Sequence, residues 1–531
     1  MNRKCKALAA AMCGLLLAGS AEAQNVVLLE RDFVSPPKET APWVFWYWMH
    51  GAATLEGVKA DLEAMKEIGL GGAYLMPIKS PPAVPFITPT AEQLSPQWWK
   101  LVKYAMEKAD TLGLELGMHI CDGFALAGGP WITPELSMQK VVWADTVVDG
   151  GRALNLRLPQ PPMYEDYYED IAVYALPVKD PAAEYSTRNR KPAVTASVPN
   201  SRPELLVEPG NTVPFRSAVP CWIQYDFREP FTCRSILIET PGNNYQAHRL
   251  VVSASDDGSS FREVARLTPA RHGWQNLDAP NTHVIPPTTA RYFRLSWDPA
   301  GTEPGSEDLD AAKWKPSLGI RELHLSGEPK IGQYEGKSAA VWRIAPETTA
   351  GELPAGNCVN PAEVRDLTAS LQDGRLRAGA LPEGRWRILR LGHTSTGHVN
   401  ATGGAGKGLE CDKFNPKAVE KQFDGWFAEI FRQVGPELAG RVLKIMHVDS
   451  WECGSQNWSE NFAAEFRRRR GYDLMPWLPL YAGIPMGSAE QSEKVLRDIR
   501  ETAAELVADV FYRTLAKVGH EYGCRVTAEC V

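Results

Sequence analysis

The densest group of residues that could do chemistry lies at positions 446–458 of this 531-residue chain. The segment carries the carboxylates of Asp449 and Glu452, the imidazole of His447 and two indoles. Glycoside cleavage requires a proton donor for the leaving oxygen, an activator for water, and flat apolar faces that contact sugar C–H groups. A single carboxylate after a strand would more often cap the backbone or face solvent. The density of functional groups here favours a carbohydrate-processing site.

The elements that position these groups alternate between strand and helix. Thr54 and the Ser95-Pro96 pair are typical helix N-termini, and apolar runs without helical spacing separate the two helices that they begin. The same alternation returns after Arg385. We expect parallel strands at Pro42–Trp48, Gly72–Met76, Leu114–Ile120, Val442–Val448 and Cys524–Cys530, and helices at Leu55–Ile68, 98–112, 415–434, 461–470 and 493–520. The predicted fold class is α/β: a (β/α)8, TIM-type barrel that is incomplete in this chain.

The middle of the chain has a different pattern of apolar and turn-forming residues. From 146 to 384 the helical periodicity disappears and short alternating segments separated by Asp, Gly and Pro take over. The strand–turn–strand segment Val251–Phe261, together with Ala290–Leu295, resembles the galactose-binding-like, discoidin-type β-sandwich over about residues 205–328. That family binds sugars, lipids or proteins, so a structural insertion and a working lectin are both open. We therefore divide the chain into residues 24–145 (first part of the barrel), 146–384 (inserted β-rich region) and 385–531 (continuation of the barrel).

The first 23 residues have the pattern of a signal peptide. A basic start is followed by the apolar run Ala7–Ala18 and the small residues Ala21 and Ala23, which predicts cleavage before Gln24. We expect export to the periplasm or the medium, and no membrane span in the mature chain. Cleavage removes three positive charges and one negative, so the formal net charge falls from −7 to −9. This acidity argues against nucleic acid as a partner and fits a neutral carbohydrate.

Eight cysteines follow the predicted cleavage site. Because an exported chain can form disulfides, we expect Cys221 and Cys233 to be the pair that bridges. Four others lie near apolar strand ends and are expected to be buried thiols: Cys121, Cys411, Cys453 and Cys530.

In a βα barrel the chemistry lies at the C-terminal ends of the strands, where the loops converge. A single histidine at a strand end is equally compatible with a site residue and with a hydrogen-bonded residue of the core. The loop 404–414 is expected to face substrate, and a solvated surface loop is almost as compatible with its sequence. The residues expected to contact substrate are Trp46, Trp48, His50, His119, Asp122, Asp412, Lys413, His447, Asp449 and Trp451.

Several blocks resemble the family 106 glycoside hydrolases, the α-L-rhamnosidases. They are Trp46–Gly51 with 57–76, Gly408–Phe414, His447–Glu452 with Gly454–Trp458, and Phe466–Asp473. The resemblance implies a (β/α)8 catalytic domain with attached sandwiches, an inverting mechanism with two glutamates, and Ca²⁺ in the active site. It makes Glu452 the general acid. The residues that would hold a metal, and the identity of the metal, stay open.

Glu529 is the candidate base within this chain, although a base beyond Val531 fits the strand count better. An open sheet and an N-terminal fragment are both compatible with an ending at an apolar strand, and we favour a fragment. The leading function is exported hydrolysis of terminal α-L-rhamnose. The alternatives are another glycosidase, such as a β-galactosidase-like enzyme, and a non-catalytic carbohydrate-binding protein.

Overall fold

A computed structural model describes residues 30–121, 123–242, 244–272, 279–300, 316–351, 353–400 and 404–529. The predicted signal peptide lies outside the described residues. The centre of the α/β part is a parallel sheet of five strands, which we number in chain order and which lie side by side in that order. They are β1 Trp43–Met49, β2 Gly72–Ile78, β3 Glu115–His119, β4 Leu443–Val448 and β5 Arg525–Ala528. The α/β class is confirmed, and closure into eight strands stays a prediction.

Helices follow the first two strands as the capping signals predicted. Thr54 Oγ1 accepts the backbone N–H of Gly57 at 3.0 Å, and the Ser95 hydroxyl oxygen accepts that of Trp98 at 3.2 Å. Gly113, with a φ of +67°, ends the second helix in the left-handed conformation. The longer α-helices of the chain are Leu55–Glu67, Pro96–Leu112, Pro416–Gly425, Phe427–Val434, Pro436–Val442, Phe462–Arg470, Ala489–Leu506 and Arg513–Glu521. The last two are joined by a wider, π-helical segment, Val507–Tyr512, within the region expected to be one long helix.

The two faces of the parallel sheet differ. Along β1, Trp46 and Trp48 are buried on the face that packs against the helices. Their neighbours Phe45 and Tyr47 lie on the opposite face, and each is 44% exposed. Since side chains alternate along a strand, this opposite face carries the odd-numbered residues of β1. It is the face on which the candidate site lies.

Most of the β-rich region is antiparallel. Its largest sheet contains the long strands Cys221–Glu239 and Asn281–Trp297, paired along most of their length. Arg262–Arg266, Val251–Ser255, Glu322–Ser326 and Ala193–Ala196 complete this sheet, and Phe215–Ser217 pairs with Leu318–Ile320 beside it. A buried cluster that includes Tyr225, Ile236 and Phe293 forms its core. This agrees with the alternating pattern, while the galactose-binding-like identity stays a prediction.

The expected disulfide does not form, because Cys221 and Cys233 lie twelve residues apart on one strand. A strand advances about 3.3 Å per residue, whereas the Cα atoms of a disulfide are about 6 Å apart. The seven cysteines in the described part of the chain are all free and buried.

A second antiparallel sheet joins the two regions. Arg385–Ser395 pairs over its full length with Gln139–Asp149, and on its other side with Glu169–Val178. It therefore belongs to the β-rich region, and the parallel sheet resumes at β4. Arg365–Asp366 extends this sheet. A small three-stranded sheet has the order Leu371–Gln372, Arg375–Ala378, Leu154–Arg157. Two further pairs are formed by Arg271–His272 with Arg343–Ile344, and by Gly128–Gly129 with Leu409–Glu410.

In the described part of the chain, no helix is both long and apolar enough to cross a bilayer.

Candidate active site at the mouth of the parallel sheet

The C-terminal ends of β3 and β4 bring two histidines and an aspartate together. His119 pairs with His447 across the strands, and their ring centroids are 5.0 Å apart. Asp449 follows β4, and its Oδ2 lies 3.7 Å from His119 Nε2. All three residues are buried. Three of the predicted site residues, 119, 447 and 449, therefore share one location.

Burial determines the electrostatics of this group. It lowers the pKa of His119 to about 3, with a further contribution from the neighbouring His447. Burial likewise lowers the pKa of His447. It raises the pKa of Asp449 to about 6, and the carboxyls of Glu529 and Glu452 add to that rise. The imidazoles are therefore neutral at neutral pH, and the negative charge at the mouth comes from carboxylates.

Glu452 and Glu529, the two predicted catalytic carboxylates, flank Asp449. Glu452 is half-buried in the loop after β4, and its Oε1 accepts the Ser450 hydroxyl at 3.2 Å. Glu529 is exposed, and its backbone N–H donates to the Val448 carbonyl at 3.0 Å, which holds it against β4. Both side chains act on the pKa of the same aspartate, so the structure brings them to one mouth. Asp122 lies outside the described residues.

The predicted aromatic platforms lie in different surroundings. Trp46 and Trp48 pack edge-to-face with each other beneath the sheet, and Trp46 Nε1 donates to Asp61 at 2.8 Å. Trp451 is half-buried, donates from Nε1 to the Gly454 carbonyl at 2.7 Å and packs edge-to-face with Phe511. A sugar-stacking role for any of the three stays a prediction.

His50 lies at the end of β1, apart from the other histidines. Its Nδ1 is 3.2 Å from the Ser80 carbonyl oxygen, and its ring packs edge-to-face with exposed Phe86. Contact of His50 with substrate also stays a prediction.

The loop expected to face substrate is 404–414, and its second part, 408–414, is largely buried and internally bonded. Lys413 Nζ donates to Glu410 Oε2 and to the Cys411 carbonyl, both at 2.8 Å. Asp412 accepts the Phe414 N–H at 2.8 Å, the Ser459 hydroxyl at 2.6 Å and the Gln456 amide. Burial raises the pKa of Asp412 to about 6 despite these donors. The structure therefore gives Asp412 and Lys413 protein partners, and their contact with substrate stays a prediction.

Comparison with known proteins assigns the family. The sequence model of glycoside hydrolase family 106, described as alpha-L-rhamnosidase, matches residues 34–531. The chain belongs to this family. Family 106 members are glycosidases, so the cluster at the mouth of the sheet is the candidate active site of a glycoside hydrolase chain.

Two similar proteins place the family 106 chain among longer ones. A rhamnosidase structure from Novosphingobium sp. PP1Y is 27% identical, with a TM-score of 0.76 over 94% of this chain and 47% of its own. A protein of Formosa agariphila that is provisionally named a beta-glucuronidase is 27% identical over 519 residues, which are 97% of this chain and 32% of that protein. The chain thus spans about half of the rhamnosidase and a third of the other relative.

The candidate site also includes side chains outside the ten residues that the sequence predicted as substrate contacts. Partial burial, then the charges of Asp449 and Glu529, raise the pKa of Tyr47, so its hydroxyl lies near both carboxyls. Thr527 on β5 places its hydroxyl oxygen 2.8 Å from His447 Nδ1. Strand alternation would have separated Tyr47 from Trp46 and Trp48, because odd and even residues of β1 face opposite ways. Thr527 carried no such signal, since its role depends on the pairing of β4 with β5.

The Ca²⁺ that the family resemblance implies can be tested against the donors at this site. Within the described residues, the group of side chains arranged to hold a metal is His119, His447 and Asp449, whose donor atoms lie within 4.8 Å of one another. It offers two nitrogens and one carboxylate oxygen. Ca²⁺ takes six to eight oxygen ligands, so this donor set does not fit calcium.

Proposed function

We propose that the chain is the part of an exported glycosidase that binds and cleaves terminal α-L-rhamnose, by an inverting mechanism with Glu452 as general acid. The observation that carries the proposal is the convergence of Asp449, Glu452 and Glu529 on one mouth lined by neutral imidazoles. Family membership supports the reaction class. Rhamnose specificity, inversion and export are the proposed parts.

The chemistry divides between two carboxyl groups. Glu452 donates its proton to the glycosidic oxygen as the bond from that oxygen to the anomeric carbon breaks. A second carboxylate removes a proton from a water molecule on the opposite face of the ring, and the water oxygen bonds to the anomeric carbon. Glu529 is the candidate for this second role within the chain, and a residue beyond Val531 is the alternative. Besides burial, the charges of both glutamates raise the pKa of Asp449.

The charge of the mouth favours a neutral sugar. The charges that act on Asp449 come from Glu529 and Glu452, and His119 adds no positive charge because it is neutral. A uronate would bring a further negative charge into this partly desolvated place, where repulsion is strong. Rhamnose carries no charge. The name of the Formosa agariphila relative makes β-glucuronide cleavage the second candidate, and this argument ranks it below rhamnoside cleavage.

The first experiment measures turnover. Protein expressed from its complete reading frame is incubated with an aryl α-L-rhamnoside and, separately, with an aryl β-D-glucuronide. We expect release of the aryl alcohol from the rhamnoside, and a fall of roughly 10²–10⁴-fold in kcat for Glu452→Gln. Glu460→Gln is the matched control, since Glu460 is an exposed carboxylate eight residues further on. Glucuronide turnover alone would overturn the rhamnose assignment, and sugar binding without turnover would favour the carbohydrate-binding protein.

The second experiment follows the product and the N-terminus. Proton NMR of the first turnovers should reveal β-L-rhamnose before it mutarotates, whereas the α anomer would indicate retention. Asp449→Asn and Glu529→Gln are compared in the same assay, and loss of turnover only in Asp449→Asn would remove Glu529 from the base role. N-terminal sequencing of secreted protein should begin at Gln24, and an intact Met1 would contradict export by signal cleavage.

A further inference from the structure

The residues at the floor of the mouth leave several polar atoms without partners. Both ring nitrogens of His119, Nε2 of His447 and Oδ2 of Asp449 have no hydrogen-bond partner among the described residues and almost no accessible surface. Buried polar atoms normally pair, because an unpaired one retains its full desolvation cost. Here the unpaired atoms belong to three neighbouring side chains, and one ligand atom from each lies within 4.8 Å of the others. These three atoms can give electron pairs to one acceptor, while the second nitrogen of neutral His119 carries the ring proton.

We propose that His119, His447 and Asp449 bind a divalent first-row transition-metal ion of the Zn²⁺ class. Two imidazoles and one carboxylate are a donor set that such ions prefer, and they differ from the all-oxygen sets of Ca²⁺. Bonds of about 2.0–2.1 Å to a tetrahedral ion place the ligand atoms roughly 3.4 Å apart. His119 Nε2 and Asp449 Oδ2 are 3.7 Å apart, close to this separation, and all three donor atoms lie within 4.8 Å of one another, so binding would draw the donors together by up to about 1.4 Å.

Neighbouring groups hold the ligands in a suitable state. His447 Nδ1 lies 2.8 Å from Thr527 Oγ1, and when Nδ1–H donates to this oxygen, Nε2 keeps its lone pair for the ion. The Trp426 indole donates to the His119 carbonyl at 3.0 Å, and the Ile120 N–H donates to the His447 carbonyl at 3.0 Å. Both bonds fix the backbone that carries the two rings.

Size and access favour an ion over other ligands. The unpaired atoms have almost no accessible surface, so a ligand must lie between them and contact several at once. A bare ion is smaller than a water molecule and meets this requirement once the three donors close around it. Its fourth ligand would be a water molecule or a substrate oxygen admitted from the mouth. The ion would join β3 to β4. The proposal depends on this geometry and not on the proposed function, and a dication beside the carboxylates of Asp449, Glu452 and Glu529 would still leave the mouth with a net negative charge.

The first test measures metal content. Protein with no polyhistidine tag is purified without chelators and analysed by elemental mass spectrometry, then stripped and titrated with Zn²⁺, Co²⁺ and Ca²⁺ by calorimetry. We expect about one transition-metal ion per chain, visible Co²⁺ absorption typical of a tetrahedral site, and a higher Tm when Zn²⁺ is restored. No retained metal together with no Zn²⁺ or Co²⁺ binding would overturn the proposal. So would Ca²⁺ binding in the absence of Zn²⁺ binding.

Variants assign the ion to this cluster. His119→Gln and His447→Asn should abolish stoichiometric binding. Thr527→Val, which keeps all three ligands, should weaken affinity by about 10–100-fold and so remains informative if the ligand variants do not fold. His283→Asn is the matched control, because His283 is another buried histidine whose ring contacts His248 in the β-rich region. Unchanged binding in Thr527→Val and in the ligand variants would reveal an adventitious ion only. Aryl rhamnoside turnover is measured separately, so failure of either proposal leaves the other standing.

Discussion

The buried ion pair between Lys413 and Glu410 allows a sharp test of whether the loop 408–414 is a structural element. The Lys413 side chain is 0% exposed and that of Glu410 is 1% exposed. Besides Glu410, Lys413 Nζ is held by the Cys411 carbonyl at 2.8 Å and lies 5.4 Å from the centre of the Phe511 ring. Glu410 Oε2 also accepts the Ala127 N–H at 3.0 Å. The perturbation is Lys413→Met, which shortens the unbranched side chain by one heavy atom and removes its charge.

The expected magnitude follows from what remains after the substitution. Glu410 would stay buried with the single Ala127 N–H as its described donor, so its charge would be largely uncompensated. Removing one partner of a buried ion pair typically costs about 3–5 kcal/mol. Methionine fills most of the lysine volume, which keeps the cavity contribution small. We therefore expect Lys413→Met to lower the free energy of unfolding by about 3–5 kcal/mol.

The assay is equilibrium urea unfolding of a double-mutant cycle. The double variant Lys413→Met with Glu410→Gln removes both charges, and the introduced amide oxygen can still accept the Ala127 N–H, so the double variant should recover at least half of the loss. Lys417→Met, at an exposed lysine four residues further on, should change stability by less than about 0.5 kcal/mol. A Lys413→Met loss below about 1 kcal/mol, or losses that simply add, would refute the reasoning. A raised KM with unchanged stability would instead support substrate contact.

Three further predictions concern stability and the face of the sheet. Burial lowers the pKa of His283 to about 3 from an unfolded value near 6.5, so its contribution to stability is complete above pH 6.5 and decreases as the pH falls towards 3. Between pH 7.5 and pH 5 the wild type should lose about 2 kcal/mol of its free energy of unfolding through His283. Urea unfolding of His283→Gln at the two pH values should lack this loss, and a pH dependence equal to that of the wild type would contradict the prediction. Because Trp48 is buried, Trp48→Ala should lower the free energy of unfolding by about 3–5 kcal/mol in thermal unfolding. Because Tyr47 is 44% exposed, Tyr47→Ala should change aryl-glycoside turnover more than stability. Gly72→Ala should strongly destabilise the chain or prevent soluble expression, because a Cβ there would lie 2.3 Å from the Glu115 carbonyl oxygen; a Tm close to that of the wild type would exclude this clash.

The local signals in the sequence predicted the α/β elements well. Thr54 and Ser95 cap the helices that they were expected to begin, since capping depends on residues only three apart. The orientation of the side chains along β1 was harder to predict, because four successive aromatic residues at 45–48 show no alternation of polar and apolar types. A continuous apolar run in a parallel sheet predicts a strand buried on both faces, whereas Phe45 and Tyr47 are substantially exposed in the structure. The alternation was regular, but hydrophobicity alone could not reveal it.

The site depended on information that no local pattern contains. His119 and His447 are 328 positions apart in the sequence, and a β-rich region lies between them. Their contact depends on the register of β3 with β4, which shifts by one residue between Leu443 and Ile445. Without this shift, continuing from the Leu443–Leu116 pair, Met446 would lie opposite His119. A one-residue slip moves every following side chain to the other face of a strand, so His447 would then point to the helices and Asp449 would lose its position beside His119. The irregularity at Lys444 is therefore the feature that assembles the cluster, and Lys444 Nζ, which donates to the Gly440 carbonyl at 2.6 Å, ties that point to the preceding helix.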